Sequence, residues 1–117
     1  MTTAADCIFC RIVSGEVPAD VVLTSDQAVA FRDVNPQAPV HVLVVPRRHV
    51  ENAATVTHDH GEVVADLLVA ARRVAEELGV AQSGYRLVLN VGDDALNSVP
   101  HLHVHVLGGR RLGWPPG

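Results

Sequence analysis

Three histidines alternate with aliphatic residues in the run His101-Leu102-His103-Val104-His105-Val106-Leu107. On a strand, successive side chains point to opposite faces, so the three imidazoles share one face and Leu102, Val104 and Val106 the other. Imidazole titrates near neutral pH and can act as nucleophile, acid, base or metal ligand. Three of them on a buried face are costly to desolvate without partners or a function. The contrasting case, the solvated face of an antiparallel sheet, ordinarily draws Thr, Lys, Glu or Arg. The run therefore marks a site. One metal ion cannot gather all three, because a rise of roughly 3.3 Å per residue puts His101 and His105 about 13 Å apart on a regular strand. Zinc holds each nitrogen at roughly 2.0–2.1 Å. His103 is the chemical actor, with a helper on either side.

A second group of reactive side chains is Cys7-Ile8-Phe9-Cys10, which contains both cysteines of the chain. The N-terminus, Met1 to Asp6, lacks the basic and apolar regions of a signal peptide, which predicts a cytoplasmic protein. A disulfide staple is not expected there, leaving redox chemistry or metal binding. No thioredoxin-like βαβ pattern surrounds the pair, which discounts the redox option.

The elements that must position these groups follow from hydrophobic periodicity. A short helix is predicted over Cys7 to Ser14, ended by Gly15. Val21 to Thr24 and Ala28 to Arg32 read as two strands around a Ser25-Asp26 turn. Asn35-Pro36-Gln37-Ala38-Pro39 is a rigid loop, and Val40 to Val45 is an apolar run that predicts a buried central strand carrying His41. Asp59 with Glu62 suggests a capping box. Val63, Leu67, Ala71, Val74 and Leu78 then line one face of a long helix that Gly79 stops. His58 and His60, at its start, are expected to be solvated. Tyr85 to Val91 is a further strand, followed by a polar loop from Gly92 to Pro100 and the histidine strand. The prediction is an α+β fold: a mainly antiparallel sheet of about five strands with one long and one short helix. Residues 1–117 form a single domain, with 1–6 expected to be disordered and 108–117 an irregular tail.

The chain has 117 residues, 48% of them apolar and 3% aromatic, enough for one real core. No apolar stretch approaches the ~20 residues needed to span a bilayer. A formal net charge of −4 argues against binding a nucleic-acid polymer, which leans on a basic surface. Arg47-Arg48 and Arg110-Arg111 are local basic pairs, expected to be solvated or to contact a neighbouring group. A phosphate-bearing partner is more plausibly a small molecule.

The histidine run resembles that of the histidine triad family, in particular its nucleotide-binding Hint-type branch, whose pattern His-φ-His-φ-His-φ-φ (φ apolar) residues 101–107 fit throughout. The resemblance extends over Phe31-Arg32-Asp33-Val34-Asn35-Pro36-Gln37-Ala38-Pro39, His41, Val45-Pro46-Arg47-Arg48-His49, Asn90, Ser98-Val99, and Gly108-Gly109-Arg110 through Trp114-Pro115-Pro116-Gly117. It implies a homodimer whose sheets join edge to edge. It implies cleavage of a nucleoside 5′-phosphoramidate to an amine and a nucleoside monophosphate. By position, His103 corresponds to the nucleophile that forms a nucleotidyl-histidine, and His105 to the residue that binds and stabilises the phosphate. The carbonyl of His101 would hold the His103 ring. Ser98 matches a hydroxyl near the leaving group, Asn90 a phosphate-side contact, and His41 an outer member of the histidine network. Asp33 would take the ribose hydroxyls of an AMP- or GMP-like purine nucleotide, and Phe9, Val17, Phe31 and Val34 the base. Trp114 would reach the partner's site or pack at the interface.

The chemistry of the residues is compatible with these roles. A nucleophile at phosphorus must be neutral at pH 7, and imidazole qualifies where Lys does not. Fixing one ring nitrogen selects the tautomer and aims the other, and donors around the phosphate stabilise transition-state charge.

Some relatives pair the CxxC motif with two histidines to bind structural zinc. The matching set here is Cys7, Cys10, His49 and His101, a closed shell suited to a structural ion. No organic cofactor is expected. The family usually carries Gly-Gln where this chain has Leu96-Asn97, and Leu takes positive φ less readily than Gly, so the loop is expected to differ. Asp93 and Asp94 make it less welcoming to a polyphosphate. Pro100 replaces a residue that is often aromatic. The leading expectation is a nucleoside phosphoramidase. The alternatives are a dinucleoside polyphosphate hydrolase, and a nucleotide-sensing or scaffold module with incidental hydrolysis.

Overall fold

A computed structural model describes residues 6–117. The disorder expected for residues 1–6 lies outside the described residues except at Asp6, which is exposed.

Five strands form one antiparallel sheet in the order β1-β2-β3-β5-β4. They are β1 (Val21–Thr24), β2 (Ala28–Arg32), β3 (Val40–Pro46), β4 (Tyr85–Val88) and β5 (Val104–Gly108). Strand β3 is central and buried along its whole length. Its continuous apolar run has this cause: both faces of the strand are covered, so no position needs to be polar.

Helix α2 (Gly61–Glu77) covers one face. Val63, Leu67, Ala70, Ala71, Val74 and Ala75 recur at helical spacing and are all buried. They meet Ala28, Ala30, Val42, Val44, Leu102, Val104 and Val106 in the larger core. Burying a side chain the size of Leu67 stabilises the fold by roughly 1.5–3 kcal/mol. Gly79 ends the helix at φ +77, in the left-handed conformation that glycine adopts without strain.

The short helix α1 (Ile8–Val13) covers the other face. Cys7 is its N-cap, its Sγ accepting from the Cys10 N–H at 3.4 Å. Phe9 packs with Val29, Phe31, Leu43 and Val45 into a second, smaller core. Because side chains alternate along each strand, one sheet feeds both cores, and the histidines emerge on the α1 side.

Three local expectations need correction. The histidine strand begins at Val104 rather than at His101, because the Leu102 N–H leaves the ladder for the Val50 carbonyl at 2.6 Å. Strand β4 correspondingly stops at Val88, paired with His105, instead of running to Val91. Helix α2 is preceded not by an Asp59 box but by a 3-10 turn over His58–His60 capped by Thr57. There the His60 Nδ1 accepts from the Thr57 N–H at 2.9 Å, so His60 shapes the turn while His58 is exposed.

The basic pairs contact neighbouring backbone: Arg47 donates to the Ser25 carbonyl and Arg110 to that of Gln37. Among the described residues, no helix is long and apolar enough to cross a membrane.

The loop after β4 also departs from expectation. Leu96 adopts the left-handed conformation at φ 60 and ψ 35, the position at which glycine is usual in the resembling family. The backbone takes this conformation despite the bulkier side chain. Left-handed backbone costs a non-glycine residue roughly 1–2 kcal/mol. The Leu96 side chain is 85% exposed, so packing offsets little of this. Leu96→Gly is expected to raise unfolding free energy by about 0.5–1 kcal/mol, after allowing for glycine's larger unfolded-state entropy. Urea midpoints of the two proteins test this, and an unchanged or lower midpoint in the variant would contradict it.

Candidate active site

Alternation survives in the triad even though two of its members precede β5. His101 and His103 are buried, His105 is half-buried, and Leu102, Val104 and Val106 face α2 as the periodicity requires. The ring of His103 stands between those of Phe9, at 5.2 Å between centroids, and His105, at 5.0 Å.

Backbone groups set the tautomers. The Nδ1 of His103 lies 2.7 Å from the His101 carbonyl oxygen, which can only accept. His103 must therefore donate from Nδ1–H, leaving the Nε2 lone pair free. At His41 the logic reverses. The Gln37 backbone N–H donates to His41 Nδ1 at 3.0 Å, so the ring proton sits on Nε2. That Nε2–H faces the Nδ1 of His105 at 2.9 Å. His105 then carries its own proton on Nε2. The site thus offers one bare imidazole nitrogen on His103 and one N–H donor on its neighbour. Register produces the pairing: Leu43 is opposite His105 and Leu107 opposite His41, making the two histidines diagonal neighbours on one face.

The Asp33 carboxylate is 3.4 Å from His41 Nε2. Asp33, His41 and His105 lie close enough to hold a metal ion, with donor atoms within 4.8 Å of one another. The backbone donor at His41 Nδ1 argues otherwise, because Nε2 then presents a proton rather than a lone pair. This set is a hydrogen-bonded chain.

Burial lowers the pKa of His105 to about 4, with His103 and His41 adding to the effect and Asp33 opposing it. Burial also lowers that of His41, again opposed by Asp33. Both rings are neutral at pH 7. Because these folded-state values lie below the unfolded value of about 6.5, the unfolded chain takes up the protons first. The associated stability is complete above about pH 6.5 and is lost as the pH falls towards 4. Urea midpoints measured between pH 7 and 4.5 should decline in this window, more weakly in His105→Asn. A flat profile would contradict the assignment.

Beside the triad lies a cavity of about 550 Å³, lined by Phe9, Val17, Phe31, Asp33 and Val34 among others. All five residues predicted for base and sugar are therefore brought together, and Phe9 joins the cavity to the His103 ring. Val34 is fully exposed at the rim. Asp33 is also the start of a turn, its Oδ1 accepting from the Asn35 N–H at 2.8 Å. A larger cavity of about 670 Å³ at the start of α2, lined by Val56, Thr57, His58, Gly61, Val64 and Ala65, contains none of the triad. Asn90 is half-buried just beyond β4, and Ser98 is exposed on the following loop. Among the described residues, neither is hydrogen-bonded to the histidines. Trp114 is 82% exposed, with the Arg86 guanidinium 6.0 Å from its ring centre.

Cys7, Cys10, His49 and His101 converge behind His103. The His101 Nδ1 is 3.2 Å from Cys7 Sγ, 3.5 Å from Cys10 Sγ and 3.1 Å from His49 Nδ1, and Cys10 Sγ is 3.3 Å from His49 Nδ1. A tetrahedral zinc with ordinary bond lengths separates sulfur from nitrogen by about 3.6 Å and nitrogen from nitrogen by about 3.3 Å. The observed edges are close to those values. His101 also donates from Nε2–H to the Pro46 carbonyl at 2.9 Å, which leaves the Nδ1 lone pair facing the sulfurs. The four residues fit a zinc ion. Burial, with Cys7 adjacent, pushes the Cys10 thiol up to about 11.

Sequence reasoning missed two backbone groups that fix tautomers, the Gln37 N–H at His41 and the Pro46 carbonyl at His101. It also missed the contact between Asp33 and His41. Backbone donors leave no mark in residue types, and only the Asn35-Pro36 turn could have hinted that the chain doubles back there.

The HIT domain family matches residues 14–112. An uncharacterised HIT-like protein of Synechococcus elongatus is 46% identical over 112 residues, covering 96% of this chain and 97% of its own. A HIT family hydrolase from Legionella pneumophila superposes with a TM-score of 0.92 at 44% identity, over 95% of this chain and 99% of that one. A HIT family hydrolase from Clostridium thermocellum gives a TM-score of 0.91 at 40% identity, over 95% and 96%. With the triad, the sheet order and these matches together, the chain belongs to the HIT domain family.

Proposed function

We propose that this chain is a nucleotide-binding hydrolase that cleaves nucleoside 5′-phosphoramidates. The observation carrying this is the pairing of a bare nitrogen on His103, with its other nitrogen held by the His101 carbonyl, and an apolar cavity ending in a carboxylate. In the first step His103 Nε2 attacks the phosphorus, a phosphorus–nitrogen bond to the ring forms, and the bond to the amine breaks. The amine departs with a proton drawn from solvent, which the attacking water of the second step returns. Water then cleaves the nucleotidyl-histidine, releasing nucleoside monophosphate and restoring the imidazole.

His105 donates its Nε2–H to a phosphate oxygen and stabilises the charge that grows there. Phe9, Val17, Phe31 and Val34 enclose a purine base, and Asp33 accepts from the ribose hydroxyls. Ser98 serves the leaving group, Asn90 the phosphate, and Trp114 the neighbouring subunit. Structural zinc, held by Cys7, Cys10, His49 and His101, ties α1 to the segments following β3 and preceding β5. A cytoplasmic homodimer is proposed, with β4 as the joining edge. That strand has one neighbour in the sheet, and Leu89 and Val91 just beyond it are exposed.

The deciding experiment is steady-state hydrolysis of adenosine 5′-phosphoramidate beside diadenosine tetraphosphate by the purified protein. Preference for the phosphoramidate supports the proposal. Preference for the dinucleotide, consistent with a polyphosphate hydrolase, or turnover of neither would refute it.

A further inference from the structure

The Asp33 carboxylate faces two donors at once. Its Oδ1 accepts from the Asn35 N–H at 2.8 Å, and its Oδ2 lies 3.4 Å from His41 Nε2. The side chains of Asp33 and His41 are 18% and 6% exposed, so the contact is largely shielded from water. His41 is held at Nδ1 by the Gln37 N–H, while its Nε2 has the carboxylate beside it at 3.4 Å as an electrostatic neighbour. The same Nε2–H meets His105 Nδ1. Which nitrogen of His105 carries its proton therefore depends on the ring angle and tautomer of His41.

We propose that Asp33 is a positioning residue for His105, acting through His41, beyond the sugar contact given to it above. Its kinetic consequence rests on the phosphoramidase reading, whereas the arrangement of protons does not.

The position sets one hydrogen-bond donor and one N–H at 3.4 Å against the side chain, and a carboxylate presents an oxygen to each. Asparagine has one acceptor and one donor. If its oxygen keeps the Asn35 N–H, its NH2 group confronts the His41 Nε2–H. His41 is then driven towards the Nδ1–H tautomer, which in turn confronts the Gln37 N–H. If the amide turns over, the Asn35 N–H meets a donor instead. The first arrangement puts a mismatch in the chain from Gln37 to His105, and the second puts it at the Asn35 N–H, in the turn that aims the side chain at His41. Charge works in the same direction. The ionisable groups facing the His41–His105 pair are Asp33 and His103. Of these, Asp33 alone favours the protonated rings, against burial. Its neutralisation is expected to lower the titration midpoints of both histidines further.

The test combines two measurements on wild type, Asp33→Asn and Asp33→Glu. Nitrogen-15 shifts of the imidazoles in the free protein report tautomers directly. Kinetics on adenosine 5′-phosphoramidate and on its 2′,3′-dideoxy analogue separate sugar binding from positioning, since the analogue has no hydroxyl for Asp33 to hold. Wild type is expected to carry protons on Nε2 of His41 and His105. Asp33→Asn should shift His41 towards the Nδ1–H form and lower kcat about tenfold or more on both substrates. Asp33→Glu, which keeps two acceptors and the charge, should recover part of each effect. Unchanged ring shifts in Asp33→Asn, with an effect confined to KM for the ribose substrate, would overturn the proposal. Should wild type cleave neither substrate, the phosphoramidase reading falls by itself. The ring shifts then decide: altered in Asp33→Asn they support the positioning role, unaltered they overturn it.

Discussion

His103→Ala is expected to abolish phosphoramidate turnover, lowering kcat by on the order of 10⁴-fold or more, as removal of a covalent nucleophile does elsewhere. His103 has its Nδ1 tied to the His101 carbonyl at 2.7 Å, and the ring edge-on to Phe9 restrains its rotation. No other ring in the cluster has this combination. His105 and His41 are bonded to each other, and His101 is committed at both nitrogens to the Pro46 carbonyl and the cysteine cluster. None can take over the attack. Quenching wild type during turnover and weighing the intact protein should reveal a nucleotidyl adduct, absent from the variant. The alanine leaves a cavity beside Phe9, so a thermal melt belongs with the assay. A folded His103→Ala protein that turns over at the wild-type rate would exclude nucleophilic catalysis by this residue.

The second large effect concerns stability. Cys10→Ser and His49→Asn are each expected to abolish stoichiometric zinc and to lower the melting temperature by about 10 °C or more, near 3 kcal/mol for a domain of this size. The four residues come from three segments far apart in sequence. Cys7 and Cys10 flank the start of α1, His49 follows β3, and His101 precedes β5. An ion at their centre would cross-link elements that otherwise meet through the small core around Phe9 and Phe31. It would also steady His101, whose carbonyl holds the His103 ring. Metal content of protein purified without chelator, with melts before and after chelation, checks both points. A metal-free protein whose melting temperature is insensitive to either substitution would identify the pair as simple reduced thiols.

Much of the architecture is legible in the residue pattern alone. The apolar run at Val40, the helical spacing from Val63 to Val74, the stop at Gly79 and the Ser25-Asp26 hairpin all match the fold. Each rests on local periodicity or on a backbone preference of one residue type. Differences fall at boundaries where the backbone bonds outside its own element. The Val50 carbonyl draws off the Leu102 N–H and delays β5, and the Thr57–His60 turn displaces an Asp59 cap. Leu96 is the sharpest case. Its residue type argues against a left-handed loop, yet hydrogen bonds from the Leu96 N–H to the Asp93 carbonyl and from the Asn97 N–H to the Gly92 carbonyl hold it there.

The candidate site divides along the same line. Sequence by itself determined which side chains face together: period two placed the three imidazoles opposite the core residues. It likewise supplied the chemical types at Cys7, Cys10, His49 and Asp33. What it could not determine was proton placement at His41, His105 and His101, because the groups that decide it are main-chain atoms at Gln37 and Pro46 and a ring contact between His41 and His105 that spans 64 residues. Whereas the His101 carbonyl was expected from the family resemblance, the Gln37 N–H and the Pro46 carbonyl are groups of a kind that nearly every residue type carries. They acquire meaning only once β3 and β5 lie in register and bring His41 against His105. Tertiary structure thus decided which imidazole nitrogen is bare and which carries hydrogen, since hydrogen-bond partners reach across the fold while sequence patterns report only what is local.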